Sequence, residues 1–312
     1  MALRRVICLL LVVFLLGGCA TSASRLQAQI PADLPLRREL SATPFFPDDS
    51  YFCGPSALAT ALSAAGLATQ PEALIGQVFL PGREGSLQIE MLAGARRQGA
   101  VATVIPGTLE ALLREIAAGN PVVVLQNLGL SWAPSWHYAV VIGYDADAGL
   151  ILLRSGTLAR QKMSLRTFEN TWNRSQRWAF VALLPGRLSV TADETEATRA
   201  LVAFERNAPA ATAVQAYRSG LERWPGNFTL AMGLGNALYA SGDRAGAEVA
   251  FRRAAESHDL AAAHNNHARV LLELGRIGEA RRAAERGLAV AGAQSQTLLE
   301  TLKAIETAEE GQ

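Results

Sequence analysis

Cys53 and His137 are the two side chains of this 312-residue sequence whose types best suit covalent catalysis. The cysteine lies in the segment Tyr-Phe-Cys-Gly-Pro-Ser-Ala-Leu, between a loop rich in proline and aspartate and a helical pattern rich in alanine and leucine. This position predicts a thiol at a helix N-terminus, where unpaired N–H groups and the helix dipole lower the thiol pKa. A thiol of low pKa is a nucleophile, so the segment favours nucleophilic chemistry.

A thiol nucleophile needs a base, and His137 is the only histidine between residues 41 and 186. It lies in a run typical of a strand, Trp-His-Tyr-Ala-Val-Val-Ile-Gly-Tyr-Asp, and follows a loop (residues 130–134) that could border a cleft. By itself, such a histidine is more often a strand-edge residue, and a lone cysteine is often a small buried hydrophobe. The two together favour a nucleophile and its general base.

The first 19 residues are typical of an export signal. Arg4 and Arg5 precede an apolar run (residues 6–16) that is shorter than the ~20 residues needed to span a bilayer. The segment Leu-Gly-Gly-Cys that ends at Cys19 resembles a bacterial lipobox, which implies cleavage before Cys19 and lipidation of its thiol. We therefore expect a signal peptide over residues 1–18 and a lipidated tether over 19–40. An ordinary signal peptide with a chance cysteine is the alternative.

The sorting of such a protein can also be predicted. Ala20 follows Cys19 at the position where an aspartate would signal retention in the inner membrane. The resemblance to lipoproteins therefore implies a lipid anchor in the outer membrane, facing the periplasm. Removal of Cys8 with the signal and lipidation of Cys19 leave Cys53 without a disulfide partner in an oxidising compartment.

The composition argues against several classes of function. The formal net charge is +1 and 18% of the residues are charged, with no basic stripe, so we expect no nucleic-acid partner. His264 and His267 lack further ligands at a spacing suited to a metal, and we expect them on a helix surface or in packing. We expect neither a metal nor another cofactor.

Residues 41–186 mix helical and strand patterns and predict an α+β domain. Early helices followed by an antiparallel meander are typical of this class. The residues between 145 and 149 have turn chemistry, so the strands that flank them form a hairpin. Helices are predicted at 54–65, 71–78, 86–98, 109–118 and 165–172, and strands at 101–105, 121–125, 136–144, 150–154 and 178–184.

Residues 191–309 have a purely helical pattern that repeats. The segment Leu-Gly-Asn-Ala-Leu-Tyr (residues 234–239), followed by Gly242, Ala247, Phe251 and Ala254, matches the tetratricopeptide pattern, a helix-turn-helix unit of about 34 residues. We expect three repeats, at 194–227, 228–260 and 261–294, and a capping helix at 297–309. Such repeats present a concave surface to a protein partner. A plain helical bundle is the alternative.

The two chemical motifs together resemble a known family. Cys-Gly-Pro-Ser at a helix start (residues 53–56) and the His-Tyr-Ala-Val-Val-Ile-Gly-Tyr-Asp segment (137–145) resemble papain-like cysteine peptidases. The most similar members cut double-glycine leaders from secreted bacterial peptides, and some relatives of these are lipoproteins. The Gly85-Ser86 pair and Leu-Arg-Ser-Gly-Thr (153–157) resemble the lipoprotein relatives as well. The resemblance covers residues 41–186.

The resemblance implies a mechanism and a substrate class. Cys53 is then the nucleophile that attacks a peptide carbonyl, and His137 is the general acid and base. The expected reaction passes through a thioester that water hydrolyses. The sequence therefore predicts a lipid-anchored cysteine peptidase that acts on a peptide or protein, with helical repeats that bind a substrate or partner.

A third group should orient the imidazole of His137. A hairpin turn centred on Asp147 places residue 137 across from about residue 157, so Ser155 or Thr157 is nearest. The family usually has Asp or Asn on that strand, and this chain has Ser155. A hydroxyl can accept the imidazole N–H but adds no negative charge. Asn127, at the end of the preceding strand, is a second candidate.

The oxyanion hole departs from the family pattern. The N–H of Cys53 can supply one donor. The family usually adds a glutamine a few residues upstream, where this chain has Pro-Asp-Asp (residues 47–49). A carboxylate cannot donate, so Gln126 and Asn127 are alternative donors. This departure leaves two other hypotheses open: a pseudopeptidase that binds peptides without cutting them, and a different acyl transfer on the same nucleophile, such as amide hydrolysis or transpeptidation.

Overall fold

The computed structural model describes residues 22–291 and 295–310. The predicted signal peptide and the lipidation candidate Cys19 lie outside these residues. The chain divides into two compact units. The first contains the residues up to Gln98, Ala102–Leu183 and Ser189–Ala192, and the second contains Gly99–Val101, Leu184–Leu188 and the residues from Asp193 onward.

Among the residues that the structure describes, six α-helices of the first unit flank or precede its sheet. Two of them begin at side-chain caps: the Thr108 hydroxyl accepts the N–H of Ala111 (3.1 Å), and the Ser164 hydroxyl accepts the N–H of Thr167 (3.2 Å). The helices are α1 (Ser22–Gln29), α2 (Cys53–Ala64), α3 (Pro71–Val78), α4 (Gln88–Arg97), α5 (Leu109–Ala117) and α6 (Leu165–Asn173).

Seven strands of this unit form one sheet with the order β4-β9-β5-β6-β7-β8, and β1 pairs with β6. The run from β5 to β8 is an antiparallel meander, which confirms the predicted α+β class. A separate two-stranded ladder joins β2 and β3. The strands are β1 (Arg37–Glu39), β2 (Phe79–Leu80), β3 (Gly85–Ser86), β4 (Val101–Val104), β5 (Val122–Asn127), β6 (Trp136–Asp145), β7 (Leu150–Ser155), β8 (Leu158–Ser164) and β9 (Ala179–Leu183).

The sheet is covered on both faces, because consecutive residues of β6 are all buried. Ala139 and Val141 point to the face that packs against Phe168 and Trp172 of α6. Val140 lies between them, is fully buried and points to the opposite face. The middle of β6 is therefore held between two layers, and His137 lies three residues before Val140 at the less buried start of the strand.

The expected tether over residues 19–40 is wrong for the residues that the structure describes. Leu26 of α1 is fully buried in the core of the first unit. Residues 37–39 form β1, and the Tyr144 hydroxyl donates to the Pro35 carbonyl at 2.9 Å. A single buried leucine and a three-residue strand produce no periodic pattern, so neither could be predicted from the sequence. The prediction also lacked β2, β3 and the largely exposed strand β8.

The second unit is all-helical, and its helices pair as helix-turn-helix units. Gly242 and Gly275 lie in equivalent turns and have φ of +89° and +72°, which favours glycine. A Cβ added to Gly233 or Gly235 would overlap the ring of Tyr217 or Phe251, so these glycines allow close helix packing. The helices are α7 (Glu194–Glu205), α8 (Ala210–Arg223), α9 (Phe228–Ala240), α10 (Arg244–Ser257), α11 (Ala261–Glu273), α12 (Ile277–Ala289) and α13 (Ser295–Glu310).

Histidines of the second unit bind carboxylates. His264 Nε2 lies 2.7 Å from Asp259 Oδ1, and His267 Nε2 lies 3.0 Å from Glu248 Oε1. Within residues 22–291 and 295–310, no group of three or more His, Cys, Asp or Glu side chains is arranged to hold a metal. Across the same residues, no helix combines the length and the apolar character that a membrane crossing requires.

Candidate active site

Cys53 is the first residue of α2, and its thiol is partly exposed. The first backbone bond of the helix runs from the N–H of Ser56 to the carbonyl of Phe52 (3.0 Å), so the N–H groups of residues 53 and 54 precede the helical ladder. Backbone N–H groups of Tyr138, Gly54 and Cys53 itself face the sulfur and favour a thiolate. The predicted position of the thiol at a helix N-terminus is thus what the structure shows.

The expected low pKa of this thiol is wrong. Burial of the sulfur raises the pKa of Cys53 above its ordinary value, and the Asp48 carboxylate adds to the rise. These two effects outweigh the backbone donors. The thiol is therefore protonated at neutral pH. The helical pattern revealed the position of the residue, but the burial depends on segments that pack over it from elsewhere in the chain.

His137 is the second residue of β6, and its Nε2 lies 2.9 Å from the Ser155 hydroxyl oxygen at the end of β7. Ser155 is one of the two neighbours that the hairpin geometry predicted. The β6–β7 ladder runs from Asp145↔Leu150 to Val140↔Arg154 with one irregularity near Gly143. Burial lowers the pKa of His137, and the Asp48 carboxylate opposes this effect. The imidazole is therefore neutral at pH 7.

Cys53 and His137 line the same cavity, which has a volume of about 710 Å³. Although the two residues are 84 positions apart in the sequence, the start of α2 and the start of β6 meet there. The other residues that line the cavity are Ser50, Tyr51, Arg83, Glu84, Gly85, Ser86, Leu87, Gln88, Leu125, Leu128, Ser135, Trp136, Tyr138, Arg174, Ser175 and Gln176.

The structure does not bring Asn127 to the imidazole. Its Oδ1 accepts the N–H groups of Gly129 (3.0 Å) and Ser135 (2.9 Å), and its Nδ2 donates to the Leu130 carbonyl (3.4 Å). The Asn127 side chain is buried and shapes the loop between β5 and β6. It is therefore not placed to orient His137 or to donate to an oxyanion.

Gln126 is also occupied elsewhere. It lies directly across from His137 in the β5–β6 ladder, but its Nε2 donates to the Thr171 hydroxyl of α6 at 2.6 Å. The side chain is fully buried, and Gln126 does not line the cavity. Neither of the alternative oxyanion donors that the sequence offered faces the thiol.

Asp48 is a charged residue whose carboxylate affects the pKa of both Cys53 and His137. Its N–H donates to the Gly156 carbonyl at 3.0 Å, which holds it beside the residue that follows Ser155. Its Oδ1 accepts the Ser50 hydroxyl at 2.8 Å. The carboxylate raises the pKa of Cys53 and that of His137, because it disfavours the thiolate and favours the imidazolium.

Replacement of Asp48 by asparagine should therefore lower both pKa values. More thiolate is then present near neutral pH, and we expect Cys53 to react with iodoacetamide about fivefold faster, since ~1 kcal/mol of charge interaction is removed. The rate is followed on the Cys53 peptide by mass spectrometry as a function of pH. Asp49→Asn, at an exposed neighbouring carboxylate, is the matched control. An identical pH profile in Asp48→Asn and the parent chain would contradict the electrostatic influence of Asp48.

Ser86 is a residue that the sequence reasoning did not place in the site. Its hydroxyl oxygen is buried and has no hydrogen-bond partner among the described residues. A Cβ added to Gly54 would overlap this oxygen, so the hydroxyl lies against the first turn of α2. The Tyr138 hydroxyl donates to the Ser86 carbonyl at 3.2 Å. The Gly-Ser pair was visible in the sequence, but its contact with the cysteine helix depends on the tertiary fold.

Comparisons with known proteins agree with this architecture. Residues 32–180 match the model of the Peptidase_C39 like family. A structure from Bacillus anthracis, described as a C39-like peptidase, is 18% identical and aligns over 49% of this chain and 98% of its own, with a TM-score of 0.41. No curated protein matches the sequence.

The helical unit has its own structural neighbours. A TPR domain from Aspergillus fumigatus is 19% identical over 38% of this chain and 83% of its own, with a TM-score of 0.34. A TPR protein from Thermus thermophilus is 21% identical over 36% of this chain and 59% of its own, with a TM-score of 0.28. Residues 32–180 are thus similar to the Peptidase_C39 like family, and the second unit consists of paired helices.

Proposed function

We propose that the protein is a cysteine peptidase in which Cys53 is the nucleophile, His137 the general acid and base, and Ser155 the residue that orients the imidazole. The observation that carries this proposal is the shared cavity: it is lined by both Cys53 and His137, and the Ser155 hydroxyl engages His137 Nε2. Because Nε2 is engaged, Nδ1 is the ring nitrogen that remains for exchange of a proton with the thiol.

The pKa directions favour a neutral resting pair. As the sulfur attacks the carbonyl carbon of a peptide bond, the neutral imidazole takes the thiol proton. The C–N bond then breaks, and the imidazolium gives the proton to the leaving amine, which leaves a thioester on Cys53. Water, deprotonated by His137, attacks the thioester and releases a carboxylic acid. His137 then returns the proton to the sulfur.

The same site must stabilise the negative charge that develops on the carbonyl oxygen. We assign this role to the N–H of Cys53 and to the hydroxyl of Ser86, which lies against the first turn of α2 and lacks another acceptor among the described residues. A small rotation of the hydroxyl would direct its proton into the cavity that Ser86 lines. Ser86 then replaces the side-chain donor that Asp48 cannot supply.

Replacement of Ser86 by alanine should lower kcat on the order of 10²-fold, because one oxyanion donor is removed. KM should change little, and so should the alkylation rate of Cys53, since neither depends on a developing oxyanion. Ser135→Ala removes an exposed hydroxyl from the same cavity and is the matched control. Equal kcat values for Ser86→Ala and the parent chain would show that Ser86 is not the donor.

The test of the proposal is hydrolysis of a complex peptide mixture by the purified chain, with new termini identified by mass spectrometry. Cleavage that requires both Cys53 and His137 supports a peptidase. The specific observation that favours the second candidate, a peptide-binding pseudopeptidase, is the raised pKa of Cys53 beside Asp48. Peptide binding without any new termini would favour that candidate.

The helical unit and the envelope location complete the proposal. Tetratricopeptide-type helices α7 to α13 are proposed to bind a protein partner or to hold the substrate, as stacked helix pairs commonly do. Lipid anchoring in the outer membrane is proposed from the sequence that ends at Cys19 alone.

A further inference from the structure

We infer that a rim of exposed apolar side chains around the cavity recognises large apolar side chains of an extended peptide, close to the bond that is cut. This inference rests on the proposed function and adds a substrate class to it. The rim, called the apolar rim below, consists of four exposed residues that line the cavity (Tyr51, Leu87, Leu128 and Trp136) and three exposed residues that follow them closely in the sequence (Ile89, Leu130 and Trp132).

Several side chains of the apolar rim expose more than half of their surface to solvent. Trp132 is 83% exposed, Tyr51 60% and Trp136 54%. Exposed apolar residues that are grouped beside a cavity mark a binding site more often than scattered ones do. The residues of the rim that line the cavity together with Cys53 and His137 are Tyr51, Leu87, Leu128 and Trp136.

The loop that carries much of the rim is held in place by hydrogen bonds. The N–H of Leu128 donates to the Ser135 carbonyl (2.8 Å), and the N–H of Leu130 donates to the Ala133 carbonyl (3.1 Å). The buried Asn127 side chain binds the loop backbone, as described above. The Arg174 guanidinium donates to the Asn127 carbonyl at 2.9 Å.

Gly129 is required for this loop shape, because a Cβ there would overlap the Ala133 carbonyl oxygen. A buried amide, an arginine and a glycine thus hold an eight-residue loop (residues 128–135) whose longest apolar side chains face solvent. A loop fixed in this way loses little conformational entropy when it binds a ligand. Its apolar tips therefore suit recognition better than a mobile loop would.

A peptide fits this surface better than a membrane or a second copy of the chain. The rim continues into a cavity that is lined by Cys53 and His137 and by the polar residues Ser50, Gln88 and Gln176. A peptide offers polar backbone to that cavity and apolar side chains to the rim, whereas a bilayer offers no backbone. The charged residues of the cavity, Arg83, Glu84 and Arg174, include both signs, and one of the two arginines is bound to Asn127. A membrane surface would favour a cluster of cations.

The experiment measures binding separately from cleavage. The full chain with Cys53→Ala is titrated with two sets of labelled peptides of equal length and charge, and binding is followed by fluorescence anisotropy. One set carries leucine, phenylalanine or tryptophan at central positions, and the other carries serine or glycine there. We expect the apolar set to bind at least about tenfold more tightly, which corresponds to ~1.4 kcal/mol.

Variants of the rim locate the effect. Trp136→Ala and Trp132→Ala, each added to Cys53→Ala, should weaken the binding of the apolar set by about tenfold, as for a central aromatic contact. Leu36→Ala removes an exposed leucine (45%) of the first unit that does not line the cavity, and it should leave binding unchanged. Thermal unfolding of each variant checks that it is folded. Substitutions at exposed positions usually change stability little, so we expect every variant to fold.

Other outcomes would overturn the inference. Equal affinity for both peptide sets, or full affinity in both tryptophan variants, would remove the rim from recognition. Binding of the parent chain to phosphatidylcholine vesicles that is lost in Trp132→Ala would assign the rim to a membrane, and concentration-dependent dimers lost in the same variant would assign it to a second copy.

The two proposals fail in different ways. A parent chain that binds apolar peptides tightly but cuts none of them would contradict the peptidase and support the recognition surface. A parent chain that binds and cuts both peptide sets equally would support the peptidase and contradict the recognition surface.

Discussion

Replacement of Cys53 by alanine should abolish peptide hydrolysis, with a loss of kcat on the order of 10⁴- to 10⁶-fold. No other cysteine is present in the part of the chain that the structure describes, so no second thiol lies there to replace the nucleophile. The substitution removes one sulfur atom from a partly exposed position, and the fold should remain intact. The measurement is the rate of appearance of new peptide termini, with the unfolding temperature as the check on the fold.

Cys53→Ser is the matched control for this change. The hydroxyl preserves the shape and the backbone contacts of the site, but a neutral alcohol is a far weaker nucleophile than a thiol beside a base. We expect hydrolysis to be lost in both variants, while peptide binding by the apolar rim is retained. Hydrolysis at the parental rate in Cys53→Ala would show that the activity comes from another site or from a contaminant.

Replacement of His137 by alanine is the second large expected effect, a loss of kcat/KM of about 10²- to 10⁴-fold. In the proposed mechanism the imidazole takes the thiol proton, and burial lowers the pKa of His137, so the ring is already neutral at pH 7. The acidic limb of the pH–rate profile of the parent chain should therefore lie below the pH at which an ordinary histidine titrates. Because the pKa of Cys53 is raised, the alkaline limb should lie above the pH of an ordinary thiol. The profile of kcat/KM against pH measures both limbs.

Two substitutions of Ser155 test whether this residue acts on His137. Ser155→Ala removes the hydrogen bond to Nε2 and should lower kcat by a smaller factor than His137→Ala, since the base itself remains. Ser155→Asp adds a carboxylate at the same place, which stabilises the imidazolium and raises the pKa of His137. The acidic limb should then move to higher pH. An acidic limb that stays in place in Ser155→Asp would show that Ser155 does not act on His137.

Local patterns in the sequence were sufficient for much of the architecture. The helix Pro71–Val78 was predicted with the bounds that the structure gives it, because proline at a helix start and an apolar stripe are both local signals. The proximity of Ser155 to His137 followed from turn residues and the two-residue period of strands, which set the register of a hairpin. The helix pairs of the second unit followed from a repeat of about 34 residues.

Properties that depend on segments far apart in the sequence could not be predicted from local patterns. The sequence predicted a thiol of lowered pKa, but burial by other segments reversed the direction. The sequence predicted Asn127 as a candidate to orient the imidazole of His137, but the Asn127 side chain binds the backbone of its own loop. It gave no sign that Leu26 lies in the core. Each of these outcomes is decided by contacts made only when the chain is folded.

The sequence by itself therefore determined which residues are proposed to carry the chemistry: one thiol at a helix start, one imidazole at a strand start and one hydroxyl across a hairpin. Their elements can be read from residue types and spacing, because helix starts, strands and turns are short-range structures. Only the tertiary structure decided that Cys53 and His137 share a cavity, that Ser86 lies against the cysteine helix and that four exposed apolar residues line the same cavity. Solvent exposure and electrostatic environment are sums over neighbours from the whole chain, and no local pattern contains that sum.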